Sequence, residues 1–389
     1  MSYKICFITT VSYTLKAFIL DTAKYIHGHT DWEITFICNP DNDFKKELPD
    51  YIHYIPVEME RGISISGIKS FIQILKVFHK EKFDMIQYST PNASLYAAMA
   101  GALERIPVRL YCQWGIVYSA YSDIYRKFLK AAEKLICNLS TWIEPDSYSN
   151  LYFAHREKLY GKEKSSVVWN GSATGVNLEK FDYSKKNNIR ANIRRMLCIP
   201  ESSYVYGFVG RITRDKGINE LLQAFYRIQK ECDNVYLVIV GTFDPSPHLN
   251  ETLLRWSKKQ NNILYTGWGE KIEEYLSCMD CFVLPSYREG FGLVIIEAEA
   301  MGLPVIVTDI PGPSDAISVD TTAISVKPKN VRELASAMIR LYLDRNLGNF
   351  FGENGVRLIR EKFDQRIFLR YLLADRKRLL KNAGIKKKK

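Results

Sequence analysis

The sequence predicts an α/β protein made of two doubly wound parallel-sheet domains in series. Strand-like runs alternate with amphipathic helical stretches, the pattern that parallel strands joined by crossover helices require. The alternation restarts near residue 203 after a polar interval. With 389 residues, 47% hydrophobic and 25% charged, each half can bury a core of ordinary size.

In the first half, "YKICFITT" (3–10), "WEITFICN" (32–39), "FDMIQYST" (83–90) and "VRLYCQWG" (108–115) read as strands. Between them, "GIKSFIQILKVFHKEK" (67–82) and "ASLYAAMAGALERI" (93–106) have helical spacing. The scheme begins again at "SYVYGFVGR" (203–211) and continues through "NVYLVIVG" (234–241), "NILYTGW" (262–268), "CFVLPS" (281–286) and "PVIVTD" (304–309). Helical segments fall near 217–231, 270–279, 293–301 and 331–343. A first domain over 1–180, joined by a C-terminal helix at 366–385, and a second over 200–360 are therefore expected. The stretch 175–203, polar and basic without strand periodicity, is the expected joint and hinge. Open α/β sheets bind ligands at the carboxyl ends of their strands, so two such sheets place the expected site in a cleft between the domains.

Several function classes lose ground on composition. The opening run lacks the charged start, long apolar stretch and cleavage site of a secretory signal, and no run of 18 apolar residues occurs, so a cytoplasmic protein is expected. Eight cysteines scattered through apolar contexts fit reduced, buried thiols. Of the net charge of +11, Arg366 to Lys389 supply +9, so the basicity belongs to the tail and is no general nucleic-acid signal.

Two motifs carry chemistry. In "GFVGRITRDKGINELLQAF", Arg211 follows a strand and Lys216 precedes a helix, which sends two cations toward a strand end beside a helix N-terminus. A diphosphate suits that arrangement, and a basic surface turn is the competing account. In "CFVLPSYREGFGLVIIEAEAMGLP", the turn holds Glu289, and the following helix holds Glu297. Gly290 and Gly292 let the backbone around Phe291 to Leu293 approach a ligand closely. Carboxylates accept hydrogen bonds from hydroxyls with charge-assisted strength, whereas amides, Arg and Lys take phosphates. A glycosyl diphosphate offers both. The bland account makes Glu289 a partner of the helix dipole and Glu297 a solvated helix acid like Glu299.

These two motifs, 70 residues apart, strongly resemble those of the retaining glycosyltransferases of family 4, whose GT-B fold sets two Rossmann-like domains across a cleft. "NGSATGVNLEKF" (170–181) is similar to a stretch of bacterial members that build surface polysaccharides such as capsule, exopolysaccharide and O-antigen on polyprenyl-diphosphate carriers. The resemblance implies that Arg211 and Lys216 neutralise the diphosphate of a nucleotide sugar, UDP-linked by preference, and that Glu297 holds its ribose. It implies further that Glu289 holds the transferred sugar, with Arg211 and Lys216 completing the catalytic set. The amides of Phe291, Gly292 and Leu293 would take sugar and phosphate oxygens, and Gly267 with Trp268 would meet the base. Core packing is the alternative for Trp268. Where many relatives have a glycine-rich loop after the first strand, this chain has "TTVSYTLK", leaving Thr10, Val11 and Ser12 to contact phosphate or acceptor. Trp114 stands before Gly115 where many relatives have histidine, which leaves no assignable catalytic histidine.

No cofactor and no metal are expected beyond the nucleotide-sugar co-substrate. Asp41-Asn42-Asp43 imitates a metal-binding D-x-D but lies in an early polar loop, and Cys278 with Cys281 lacks the second pair that a zinc site needs. At the C-terminus, Ile367, Leu369, Leu372, Leu373, Leu379 and Leu380 share helical spacing with clustered cations. That fits a helix resting on anionic lipid. It equally fits a helix packing back on the first domain with a free tail. "YRKFLKAAEK" (125–134) is a second basic stretch of the same kind. A sugar-nucleotide epimerase and a basic nucleic-acid-binding protein are the alternative functions; the glutamate pair argues against the latter.

Overall fold

The computed structural model describes residues 2–60, 66–121, 123–244, 249–269 and 271–385. Two compact units result, Met1–Thr174 with Arg366–Lys389, and Gly175–Gln365. The first contains β1 (Lys4–Ile8), β2 (Glu33–Cys38), β3 (Ile52–Pro56), β4 (Met85–Tyr88), β5 (Val108–Gln113) and β6 (Trp142–Pro145). They form one parallel sheet in the order β3-β2-β1-β4-β5-β6. The second contains β7 (Tyr204–Val209), β8 (Val235–Val240), β9 (Ile263–Gly267), β10 (Cys281–Leu284), β11 (Val305–Thr308) and β12 (Ala323–Val326). Its parallel order, β12-β11-β10-β7-β8-β9, repeats the first topology. The order reverses direction at β1/β4 in one sheet and β7/β10 in the other. Loops leaving these strands diverge and open a crevice at the carboxyl edge.

Most strands expected from apolar runs are central and buried on both faces, as every residue of β7, β10 and β11 is, whereas β9 is an expected strand that lies half-buried at a sheet edge. Three strands escaped that reading. β3 is an edge strand of mixed burial ending at Pro56, β12 is an edge strand of four residues, and β6 has four residues. None carries the continuous apolar run that marks β10 and β11, since His53, Glu144 and Ser325 interrupt them.

The units divide between Thr174 and Gly175, at the near end of the expected joint, and residues 175–203 beyond it belong to the second unit. Val176 N–H donates to Phe363 O (2.7 Å) and Gln365 N–H to Val176 O (3.0 Å), so the chain enters and leaves this unit side by side. Helix Lys186–Met196 follows, with Arg194 fully buried. The guanidinium of Arg194 donates to Asp280 Oδ2 (2.8 Å) and to the carbonyls of Cys278 and Ser203 (3.0 Å each). Arg190 reaches the other oxygen of Asp280 at 2.6 Å. Such cations read as solvated in sequence because the carboxylate that allows their burial lies over 80 residues away.

The C-terminal helix, Gln365–Asn382, takes the second of its two expected placements and packs on the first unit. Phe368, Leu369, Leu372, Leu373, Leu379 and Leu380 are buried, so the apolar face offered to lipid is spent on the core of the first unit. Arg376, also fully buried, grips Glu144 of β6 with both terminal nitrogens, one at 2.7 Å, and reaches Gln87 of β4 at 3.1 Å. The terminal lysines, 386–389, lie outside the described residues. Among the cysteines, seven are buried as expected, whereas Cys198 is exposed. No helix among the described residues is long and apolar enough to cross a membrane.

Candidate active site

Both motifs sit at the switch point of the second sheet. The loop after β7 carries Arg211 and Lys216 into helix Ile218–Ile228; the loop after β10 carries Glu289 into helix Leu293–Ala300. Gly217 has φ +73°, and a Cβ there would stand 2.0 Å from Pro285 O, so glycine is what lets the loops touch. Tyr287 N–H donates to Asp215 O at 2.7 Å across the same seam. On the far side, a Cβ on Gly312 would lie 2.1 Å from Gly290 O, which packs the loop after β11 against the Glu289 turn. Thr308 Oγ1 donates to Ser286 O (2.5 Å), tying that turn to the end of β11.

Within this frame Lys216 Nζ donates to Glu289 Oε1 at 2.5 Å, and Ser286 Oγ donates to the same oxygen at 2.7 Å. Both side chains of the ion pair are largely buried. Asp215 accepts from Thr213 Oγ1 (2.5 Å) and pairs with Arg288 (3.2 Å). Burial pushes the Asp215 carboxyl up, but the Thr213 hydroxyl and the nearby Arg288, Arg211 and Lys216 outweigh it and hold the group below its usual range. Arg211 is half exposed and donates to Asp244 Oδ2 at 2.8 Å. The loops thus bring Lys216 against Glu289 and set Asp215, a residue the motif reading passed over, beside Arg288 and within electrostatic reach of Arg211 and Lys216.

Glu297, on the helix after Gly292, is half-buried. Burial pushes its carboxyl up to about 7; Lys180 opposes that rise and Glu273 adds to it. Lys180 stands 3.6 Å from Glu273. The comparison with Glu299 fails, because Glu299 is not solvated: it is fully buried in the helix core. Phe291 is buried against Phe363, with ring centroids 5.3 Å apart, which leaves only its backbone for a ligand. Gly292 (φ +86°) starts the helix at the carboxyl end of β10, where first-turn amides lack the intrahelical partners of later turns. Trp268 is 45% exposed beside Gly267 at the end of β9, so it is not a core residue.

The switch point of the first sheet is built differently. Thr10 N–H donates to Thr90 Oγ1 (2.9 Å), and the two hydroxyls are 2.8 Å apart. Thr90 has φ +69°, a conformation costing a β-branched residue roughly 1–3 kcal/mol. Val11 precedes helix Ser12–Phe18, and Ser12 Oγ donates to Asp41 Oδ2 at 2.6 Å. Asp41 Oδ1 also caps helix Asn42–Glu47 by accepting from the amides of Asp43 and Phe44. Those bonds, with the Ser12 hydroxyl, hold its carboxyl below the usual range and account for the D-x-D as a helix cap.

The residues missed in sequence, Asp215, Asp244, Ser286 and Arg288, are polar loop positions without spacing of their own. Only their adjacency to Lys216 and Glu289 could have marked them. Residues 189–357 match the family model of glycosyl transferases group 1, and residues 4–143 that of glycosyl transferase 4-like proteins. The chain is 31% identical to the capsular polysaccharide biosynthesis glycosyltransferase CapM of Staphylococcus aureus, over 83% of this chain and 84% of that one. It is 26% identical to the UDP-Gal:alpha-D-GlcNAc-diphosphoundecaprenol alpha-1,3-galactosyltransferase of Escherichia coli, over 83% of each. Among solved structures, Anabaena HepE in complex with UDP and glucose superposes with a TM-score of 0.77 at 18% identity, covering 96% of this chain and 99% of that one.

Proposed function

The chain belongs to the group 1 glycosyl transferases of GT-B fold, and we propose that it is a retaining, metal-independent enzyme moving a sugar from a UDP-sugar to a hydroxyl of a polyprenyl-diphosphate-linked glycan. It is a glycosyltransferase of polysaccharide biosynthesis. Support for the finer reading comes from the E. coli relative, whose name states both a UDP-galactose donor and a diphosphoundecaprenol acceptor. The observation that carries it is the contact of Lys216 with Glu289 where β7 and β10 diverge, a cation for phosphate beside an acceptor for sugar hydroxyls.

Transfer breaks the bond between the anomeric carbon and the diphosphate oxygen. Positive charge grows on the carbon and negative charge on the departing UDP. Lys216, Arg211 and the amides at the start of helix Leu293–Ala300 stabilise charge that is largest in the transition state, which lowers the barrier without a protein nucleophile. The acceptor hydroxyl attacks on the same face, forms the new C–O bond and gives its proton to an oxygen of the leaving diphosphate. Glu289 holds the migrating sugar and Glu297 the ribose. Trp268 offers its ring to the base, and no metal or cofactor has a part in these steps.

Because the lipid-linked acceptor resides in a bilayer, the enzyme works on the cytoplasmic face of the membrane in this reading. Thermal-shift measurements with UDP, GDP and ADP test the donor. UDP is expected to stabilise most, with the shift lost in Glu297→Ala. Equal shifts for the three nucleotides, or none, overturn the assignment. A radiolabelled UDP-sugar panel with membrane extracts then identifies the sugar and the acceptor.

A further inference from the structure

Helix Asp123–Leu139 of the first unit presents an apolar stripe to the outside. Ile124, Phe128 and Leu135 are 76%, 49% and 43% exposed. Their spacing of four and seven residues places them on one side, in line with Ala131. The opposite side is committed to the core. Ile136 and Cys137 are buried there, and Glu133 accepts from Tyr111 Oη (2.9 Å) and Gln113 Nε2 (2.5 Å). The outward stripe is absent from the buried core cluster of this unit, and clustered exposed apolar side chains of this kind mark an interaction surface.

Charge and aromatic placement identify what the surface meets. Lys127 and Lys134 are exposed, roughly 70° and roughly 90° round the helix from the centre of the stripe at 100° per residue. Tyr125 lies on the other flank, edge-on to Tyr121 at 5.0 Å, and both rings are exposed. Arg126 and Lys130 turn away to Glu157 (3.4 and 2.6 Å) and the Tyr118 ring, which fixes the helix to the body of the unit. Apolar groups between a lysine flank and a tyrosine flank match the depth profile of a bilayer surface, where acyl chains lie beneath anionic headgroups and tyrosine favours the boundary.

We propose that this face is a membrane-docking surface, seated in the plane of anionic phospholipid headgroups with Ile124, Phe128 and Leu135 inserted between acyl chains. It replaces the C-terminal helix, whose apolar face is occupied. It deepens the proposed function, because an acceptor sugar tethered to a lipid diphosphate is met only at such a surface, but it stands on the surface chemistry alone.

Flotation of the full chain with vesicles of phosphatidylglycerol and phosphatidylcholine, against phosphatidylcholine alone, tests it without reference to activity. Binding to the mixed vesicles is expected, with at least about tenfold weaker partitioning for Ile124→Ser/Phe128→Ser and a smaller loss for Lys127→Glu/Lys134→Glu. Deletion of residues 386–389 is expected to leave most of the binding intact. Donor hydrolysis by the Ile124→Ser/Phe128→Ser protein should stay at the wild-type rate, which also shows that it folds. No binding by the wild-type chain overturns the proposal, as does binding that survives the stripe substitutions. Loss of donor hydrolysis in the wild type would instead sink the transferase reading and leave vesicle binding to stand or fall by itself.

Discussion

Lys216 and Glu289 meet at 2.5 Å, although 73 residues separate them in sequence. The contact exists because β7 and β10 are neighbours in the sheet and their outgoing loops are pressed together through Gly217 and Pro285. In the proposed mechanism it puts the cation that neutralises phosphate against the carboxylate that holds sugar hydroxyls, so one ion pair would set both ends of the reacting bond.

Removing either partner should therefore disable the other. Lys216→Ala and Glu289→Gln are each expected to lower kcat by about 10²–10³-fold with the chosen donor, the range for losing one preorganised transition-state contact. Because the two side chains touch, the double substitution should cost much less than the product of the single losses. Steady-state kinetics on the four proteins check this, and independent, multiplying losses would separate the two roles.

Gly217→Ala tests the seam. The new Cβ meets a backbone carbonyl, and φ +73° adds strain of its own, so the loops after β7 and β10 must part. A melting temperature lower by several degrees and loss of the UDP-induced shift are expected. Gly384→Ala has nearly the same φ (+68°) but nothing within 4 Å of its Cβ. It should lose about 1 kcal/mol or less and keep the shift. Equal behaviour of the two variants would show that the close approach is unimportant.

How much of this was readable before the structure follows from where each signal is stored. Arg211, Lys216, Glu289 and Glu297 stand in two short stretches whose local order, strand then turn then helix, is visible in a linear sequence. Buried central strands such as β7 and β10 announce themselves by continuous apolar runs. Asp280, Asp244 and Glu144 do not, because each is explained only by an arginine distant in sequence. The same blindness made Arg194 and Arg376 look like surface charge, and it offered the leucines of the last helix to a membrane.

Glu297 should make nucleotide binding depend on pH. Its carboxyl, raised to about 7 chiefly by burial, is half protonated near neutrality in the unliganded chain. A ribose is held best by the ionised form, which accepts from both hydroxyls. UDP affinity is then expected to rise with pH through about 7 and level off above it, by up to roughly tenfold between pH 6 and 8. Glu297→Gln should bind more weakly and lose this dependence. Calorimetric titration at the two pH values decides, and a slope that persists in the glutamine protein would place the titrating group elsewhere.

Arg376 and Glu144 carry the fastening of the C-terminal helix. Arg376→Met leaves Glu144 buried without its partner, and the expected destabilisation is about 3–5 kcal/mol. Adding Glu144→Leu removes the stranded charge and should recover most of that loss. Denaturant unfolding followed by circular dichroism gives both numbers. A double variant as unstable as the single would mean that the pair also has a role that apolar packing cannot replace.

Glu299 offers the clearest dependence of stability on pH. It is fully buried, and among the described residues its carboxylate oxygens lack a well-formed hydrogen bond, with only the Thr322 hydroxyl placed to favour the charge. Helix Arg345–Lys362 passes so close that a Cβ on Gly355 would lie 3.2 Å from its Cβ. Burial pushes the carboxyl up to about 8 from the usual 4.5, and the Thr322 hydroxyl offsets only part of this. Below the unfolded value, both states are protonated and the group is neutral to folding. From there to about pH 8 the unfolded chain releases the proton and the folded chain keeps it, so stability falls with rising pH and becomes level above the folded value. Glu299→Met removes that loss, and it should stabilise the second unit by ~2–4 kcal/mol at pH 8 while changing little at pH 5. Unfolding curves at both pH values measure the difference, and an equal gain at pH 5 and pH 8 would mean that packing, not ionisation, sets the cost of this buried acid.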